Sequence, residues 1–231
     1  MENSSHDFAS IVADLRHRCP SCSSRDEYNA HIAKEVIFPT VGRWGFDERF
    51  QRTLVLTPEQ IEIYDAVKSK LRGKGAIIAL LGERGLGKTS IAARIALDQA
   101  WRNYESSLQE VGRPVLAGTV IYRKAARIVA RYKPLFADFG TTETDALLES
   151  LESICRNHEV LVIDELHDCD DLKMHSRVMT DLIDRRYAML RDTILISNQS
   201  PRDFALSAGP SIVSRLREHG VVLECKWASF R

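Results

Sequence analysis

The sequence predicts a three-layer α/β fold around a buried parallel sheet, with a small segment ahead of it. Three observations predict this. Five short, nearly unbroken apolar runs occupy residues 76–81, 119–122, 160–164, 193–197 and 221–225. They lack the alternation of a half-exposed sheet, as expected for strands buried on both faces. Amphipathic stretches at about 88–105, 123–133, 143–157 and 171–190 separate them, and such β/α alternation specifies helices on a parallel sheet. The third observation is a glycine-rich loop joining the first run to the first long helix pattern.

Composition agrees with a folded core. The 231 residues are 44% hydrophobic and 28% charged, which suits one core domain plus an extra segment. Thirty-two basic residues balance thirty-two acidic ones, so any nucleic-acid surface has to be local. No apolar run is long enough to span a bilayer, and residues 1–10 lack a basic and apolar leader pattern. Five cysteines, only Cys19 and Cys22 close together, point to a reduced, cytoplasmic chain without a membrane partner.

Taken in order, residues 1–56 are polar and irregular, punctuated by Pro20, Pro39, Gly42 and Gly45. His17, Cys19, Cys22 and His31 offer the ligands of a zinc site. The alternative is a simple turn with unbonded thiols, because no second close cysteine pair follows. The regular part, 57–231, opens with Thr57 as a helix cap and Pro58 in the first turn. Ile61, Tyr64, Val67 and Leu71 then recur at helical spacing up to Gly73.

Gly82, Glu83, Arg84, Gly85, Leu86, Gly87, Lys88 and Thr89 fit G-x-x-x-x-G-K-[ST], and Ser90 continues into the helix. Strand, glycine loop and helix in this order form a phosphate cradle. Glycines let successive N–H groups face phosphate oxygens, and the helix N-terminus adds partial positive charge. Lys88 is expected to reach the β- and γ-phosphates, and the Thr89 hydroxyl to ligate magnesium. The expected ligands are therefore a nucleoside triphosphate and Mg2+.

The run 160–164 ends in Asp164 and Glu165. Ligands sit at the C-terminal edge of parallel strands. Asp164 is expected in the magnesium shell and Glu165 as the base that polarises water. Asn198, after the run 193–197, is a candidate to orient that water or meet the γ-phosphate. Arg215 lies on a short helix after Gly209-Pro210.

Together these motifs resemble the AAA+ ATPases, and within them the DnaC/IstB group. GERGLGKT resembles their Walker A, VLVIDE their Walker B, ISNQ their sensor 1 and GPSIVSRLRE their arginine-finger helix; ECKWASFR is similar to the ending of the DnaC type. The resemblance covers about residues 57–231. It implies strand order 5-1-4-3-2, and Arg215 acting on a neighbouring subunit's nucleotide in a homo-oligomer. Only about sixteen residues follow Arg215, too few for a full helical lid, and Arg231 is the one candidate to replace a lid arginine. The resemblance further implies a DNA-replication ATPase that assembles on single-stranded DNA and loads a replicative helicase, with residues 1–56 as a partner-binding or regulatory segment. An IstB-type transposition helper, acting on duplex DNA with a transposase, shares the same core. An ATP-switched adaptor without turnover and a zinc-stabilised DNA-binding regulator are rivals of other classes.

Arg123, Lys124, Arg127 and Arg131 recur at i, i+1, i+4 and i+8. On one helix they form a largely one-sided basic stripe suited to phosphate backbone, with Tyr122 and Tyr132 available to stack on bases. A solvated helix face is the alternative.

Overall fold

The computed structural model describes residues 24–52, 54–111, 119–137, 142–166 and 172–229. Five parallel strands form one sheet: β1 (Ile77–Leu81), β2 (Val120–Lys124), β3 (Val160–Asp164), β4 (Asp192–Ser197) and β5 (Gly220–Glu224). Their order is β2-β3-β4-β1-β5, the expected order read from the other edge. β4, the strand after which Asn198 falls, lies between β1 and β3.

Ten α-helices lie among the described residues. The helix α1 (Arg25–Ile32) runs through a π-helical turn (Ala33–Ile37) into α2 (Phe38–Arg43). They are followed by α3 (Pro58–Lys70), α4 (Lys88–Val111), α5 (Ala125–Tyr132), α6 (Pro134–Ala137), α7 (Thr142–Asn157), α8 (Leu172–Ala188), α9 (Pro201–Ser207) and α10 (Gly209–His219). Thr57 and Gln60 close a capping box on α3, which exchanges two otherwise orphaned N–H groups.

The period-2 direction of strand side chains divides the core into two layers. Ile78, Leu80, Val120, Tyr122, Val162 and Ile196 face α4. Ile77, Ala79, Leu81, Ile121, Leu161 and Ile163 face the layer that contains α5, α7, α8 and α10. The three-layer α/β fold of the P-loop NTPases, in its AAA+ form, is therefore present.

The N-terminal part departs from its irregular reading. Residues 25–43 are helical, and Ile32, Ile37, Val41, Trp44, Phe46 and Phe50 are buried in the same core layer as α4. Pro39 has no N–H to donate back to the preceding turn. The π-helical turn directly ahead of α2 re-registers the helix there.

At the sheet edge opposite the strand C-termini, Arg186 is completely buried. Its guanidinium donates to the carbonyls of Ile154, Cys155, His158, Glu159 and Asp192 and to Thr193 Oγ1, at 2.6 to 3.4 Å. Burial lowers its pKa to about 10, so it stays charged at neutral pH. One side chain thus ties the end of α7 to the starts of β3 and β4. Arg186→Leu would leave several buried carbonyls without a donor. It is expected to destabilise the fold by about 3 kcal/mol or more, read as a lower urea midpoint at unchanged slope.

Candidate functional site

The strand C-termini converge on one cavity of about 490 Å3. Arg84, Gly85, Gly87, Lys88, Thr89 and Ser90 line one wall, and Asp164, Glu165 and Asn198 line another. The sequence-expected loop, acids and asparagine, 110 residues apart at the extremes of the Lys88–Asn198 contact, are brought together.

The loop has its shape because Gly82, Gly85 and Gly87 adopt φ of 135°, 87° and 76°. At Gly82 a Cβ would stand 2.6 Å from the Cys225 carbonyl oxygen, so no larger residue fits without movement. The far side of the loop is tied down. The Leu86 carbonyl accepts from Trp227 Nε1 at 2.9 Å and from Gln60 Nε2 at 3.3 Å. The C-terminal stretch after β5 and helix α3 thereby hold the loop from two sides.

Lys88 is buried. Its ammonium donates to the carbonyls of Gly82 and Glu83 and to Asn198 Oδ1 at 3.0 Å. Burial pulls its pKa below the ordinary lysine value, partly offset by the Asp164 carboxylate.

Asp164 is the best-held group of the site. Oδ2 accepts from the Thr89 hydroxyl at 2.7 Å and the Tyr122 hydroxyl at 2.9 Å; Oδ1 accepts from the Glu165 N–H at 2.8 Å. Two hard oxygen donors, Thr89 Oγ1 and Asp164 Oδ2, therefore sit side by side at the N-terminus of α4, the donor chemistry magnesium takes beside phosphates. The donors fit Mg2+, and the loop amides with Lys88 fit a nucleotide triphosphate.

Glu165 has φ of 56°, a left-handed conformation uncommon for a residue with a Cβ. Its carboxylate pairs with Lys124 at 3.0 Å, both side chains more than a third exposed. Lys124 stands beside Asp164 in the β2–β3 register. A pair this exposed is worth about 1 kcal/mol or less, so Glu165 is parked rather than locked.

Other expected residues lie elsewhere. Arg215 is on α10, where it pairs with Asp184 at 3.1 Å and lies over the Tyr187 ring. The basic stripe is corrected. β2 continues to Lys124 and the helix begins only at Ala125, so the four cations share no helix face. Arg123 is half-buried and donates to the carbonyls of Trp44 and Tyr122, and Lys124 faces Glu165. Arg127 and Arg131 alone stand exposed on α5. Tyr122 and Tyr132 are 5% and 1% exposed and are not surfaces for stacking bases. His31 is exposed on α1; His17, Cys19, Cys22 and Arg231 lie outside the described residues. Among the described residues no cluster of three or more His, Cys, Asp or Glu is placed to hold a metal, and no helix is long and apolar enough to cross a membrane.

Sequence reasoning missed two contributions. Tyr122 reaches Asp164 from β2, and Arg49, Phe50, Arg52, Leu54 and Val55 line the same cavity. The signal for the second was the apolar content of the segment ahead of Thr57.

No family model matches the chain. It is 27% identical over 160 residues to the replicative helicase loader DnaC of Escherichia coli K12, covering 69% of this chain and 58% of that protein. It is 28% identical over 122 residues to reverse gyrase of Pyrococcus furiosus, covering 52% of this chain and 10% of that one. The chain thus spans little more than half the length of the loader. Among solved structures, AMPPCP-bound DnaA from Aquifex aeolicus superposes with TM-score 0.54 at 17% identity, covering 75% of this chain and 48% of that one. DnaI superposes with TM-score 0.52 at 17% identity, covering 79% and 89%. The resemblance to DnaC-type AAA+ proteins holds in sequence, and the fold is shared with DnaA and DnaI.

Gly82→Ala should strain the loop against Cys225. It is expected to cost about 2 kcal/mol, or roughly 4–8 °C of melting temperature. Trp227→Phe, which removes only one donor, should cost about half of that or less. Calorimetry of the two variants beside the parent checks both values.

Proposed function

We propose that this AAA+ chain, similar to the DnaC loaders, is an ATP-hydrolysing DNA-replication protein that assembles on single-stranded DNA and loads a replicative helicase. The observation that carries the reading is the meeting of Lys88, Thr89, Asp164, Glu165 and Asn198 around one cavity. The likeness to DnaC supplies the biological direction.

In this reading the loop amides and the N-terminus of α4 bind the phosphates. Lys88 turns from the Gly82 and Glu83 carbonyls to the β- and γ-phosphate oxygens, and Asn198, already bonded to it, holds it at the γ end. Thr89 and Asp164 are the residues that would hold magnesium, which would supply positive charge beside the phosphates. Glu165 leaves Lys124, accepts the proton of the attacking water and so makes it nucleophilic. The weakness of the Lys124 pair matters here, because a strong pair would add its full energy to the barrier.

Arg215 is the candidate to act in trans. It rests on Asp184, and a neighbour's nucleotide would have to draw it off that carboxylate. An arginine supplied this way contributes about 10³–10⁵ in rate. On DNA, the exposed pair Arg127 and Arg131, one helical turn apart on α5, is the remaining candidate for backbone contacts.

Four outcomes test the reading. Lys88→Ala should lose ATP binding in equilibrium titration, whereas Glu165→Gln should bind normally and hydrolyse about 10²–10⁴-fold slower. Mixed with Lys88→Ala subunits, Arg215→Ala subunits should recover turnover that neither shows alone; co-assembly without recovery rejects the trans role. Arg127→Ala with Arg131→Ala should lower the salt slope of single-strand binding by about 0.7 per lost contact. Finally, the purified chain should retain the host's replicative helicase in an ATP-dependent complex. Retention of a transposase instead would refute helicase loading.

A further inference from the structure

The short stretch 44–46 is not accounted for by the nucleotide chemistry, yet it is built against it. β2 is an edge strand, and its outward N–H at Tyr122 donates to the Trp44 carbonyl at 2.8 Å. Arg123 Nη1 closes the clamp, donating to the carbonyls of both Trp44 and Tyr122 at 3.3 and 2.7 Å. Gly45 has φ of 108°, and a Cβ there would stand 2.5 Å from the Tyr122 carbonyl oxygen and from Arg123 Nη1. The chain passes this close only because residue 45 is glycine. It then delivers Phe46, 2% exposed, onto the Tyr122 ring, with centroids 4.7 Å apart. Phe46 in turn meets Phe50 edge-on at 6.3 Å, and Phe50 lines the nucleotide cavity.

Tyr122 is thus fixed by main chain on one side and by an aromatic ring on the other. Its single polar atom points at Asp164 Oδ2, 2.9 Å away. The phenol is the donor of this bond and the carboxylate its acceptor. A buried hydroxyl without that acceptor would be a cost. With it, the carboxylate keeps its orientation even when the Thr89 oxygen is engaged elsewhere.

We propose that Tyr122 is a positioning residue for the magnesium-binding carboxylate, and that residues 44–46 hold Tyr122 in place. Movement of the N-terminal segment is thereby transmitted to the metal dependence of nucleotide binding. The proposal rests on reading the cavity as a magnesium–nucleotide site. A partner that pulls residues 44–46 off β2 would weaken that dependence from outside the cavity, without touching the phosphate loop.

The test is a magnesium titration of fluorescent ATP-analogue binding, with the affinity in excess chelator measured in parallel. Tyr122→Phe should raise the magnesium concentration for half-maximal binding about tenfold, the effect of one charge-assisted hydrogen bond. Its affinity in chelator should fall less than its affinity in magnesium, and its nucleotide-free melting temperature should drop, because the buried carboxylate loses one donor. Phe46→Leu should shift the magnesium midpoint in the same direction by about threefold. An unshifted midpoint in Tyr122→Phe, or an equal loss of affinity with and without magnesium, overturns the positioning role. A shift in Tyr122→Phe with none in Phe46→Leu overturns the link to residues 44–46. A parent that binds the analogue with no response to magnesium removes the reading of the site itself, and the inference with it.

Discussion

Everything at the strand C-termini depends on the three hydrogen bonds that Asp164 accepts. A carboxylate that is 6% exposed is tolerated only when its lone pairs are satisfied, and the donors come from three different places: the first turn of α4, the outer strand β2 and the main chain beyond β3. Because one small group collects them, the phosphate loop, the edge strand and the acidic turn cannot shift independently. The left-handed turn at Glu165 follows from the same constraint, since its N–H is one of the three donors.

The two ends of the sheet are held by different physics. At the nucleotide end, around the fixed Asp164, the charged side chains have partners they can exchange. Lys88 bonds to its own loop, and Glu165 bonds to a lysine it is free to leave. At the opposite end Arg186 and the buried Asp192 satisfy main-chain groups in a closed arrangement, Asp192 accepting from the N–H groups of Gly73, Lys74 and Ala76. A rigid base with a reorganisable rim is the arrangement expected where a loop has to respond to a ligand.

Much of this was legible in the sequence, for chemical reasons. A buried parallel strand has to be apolar until its last residue, so the acids of 164–165 and Asn198 announce the edge at which they lie. Glycines that need positive φ announce the loop. The helical segment 25–43 was not legible, because the apolar residues Ile32, Ile37 and Val41 are spaced by five and four rather than following one helical stripe. The π turn supplies the extra residue, and that period cannot be recognised before the turn is known. Tyr122 was misread for a related reason. Beside four cations it suggested a helix face, whereas β2 continues two residues past it and turns it into the core. The boundary at 57 marked a change in regularity, and it does not coincide with a break in packing.

Arg186 has one more consequence, for how such a chain tolerates change over time. Five of its six acceptors are main-chain carbonyls, and the sixth is the Thr193 hydroxyl. A carbonyl is supplied by every amino acid, so the side chains of His158 and Glu159 can be exchanged while the strut keeps its partners, provided the backbone path is kept. The same fact makes the arginine itself hard to replace, since no second substitution among those neighbours can take a carbonyl away. Tolerance around the position and intolerance at it are two sides of one hydrogen-bonding pattern.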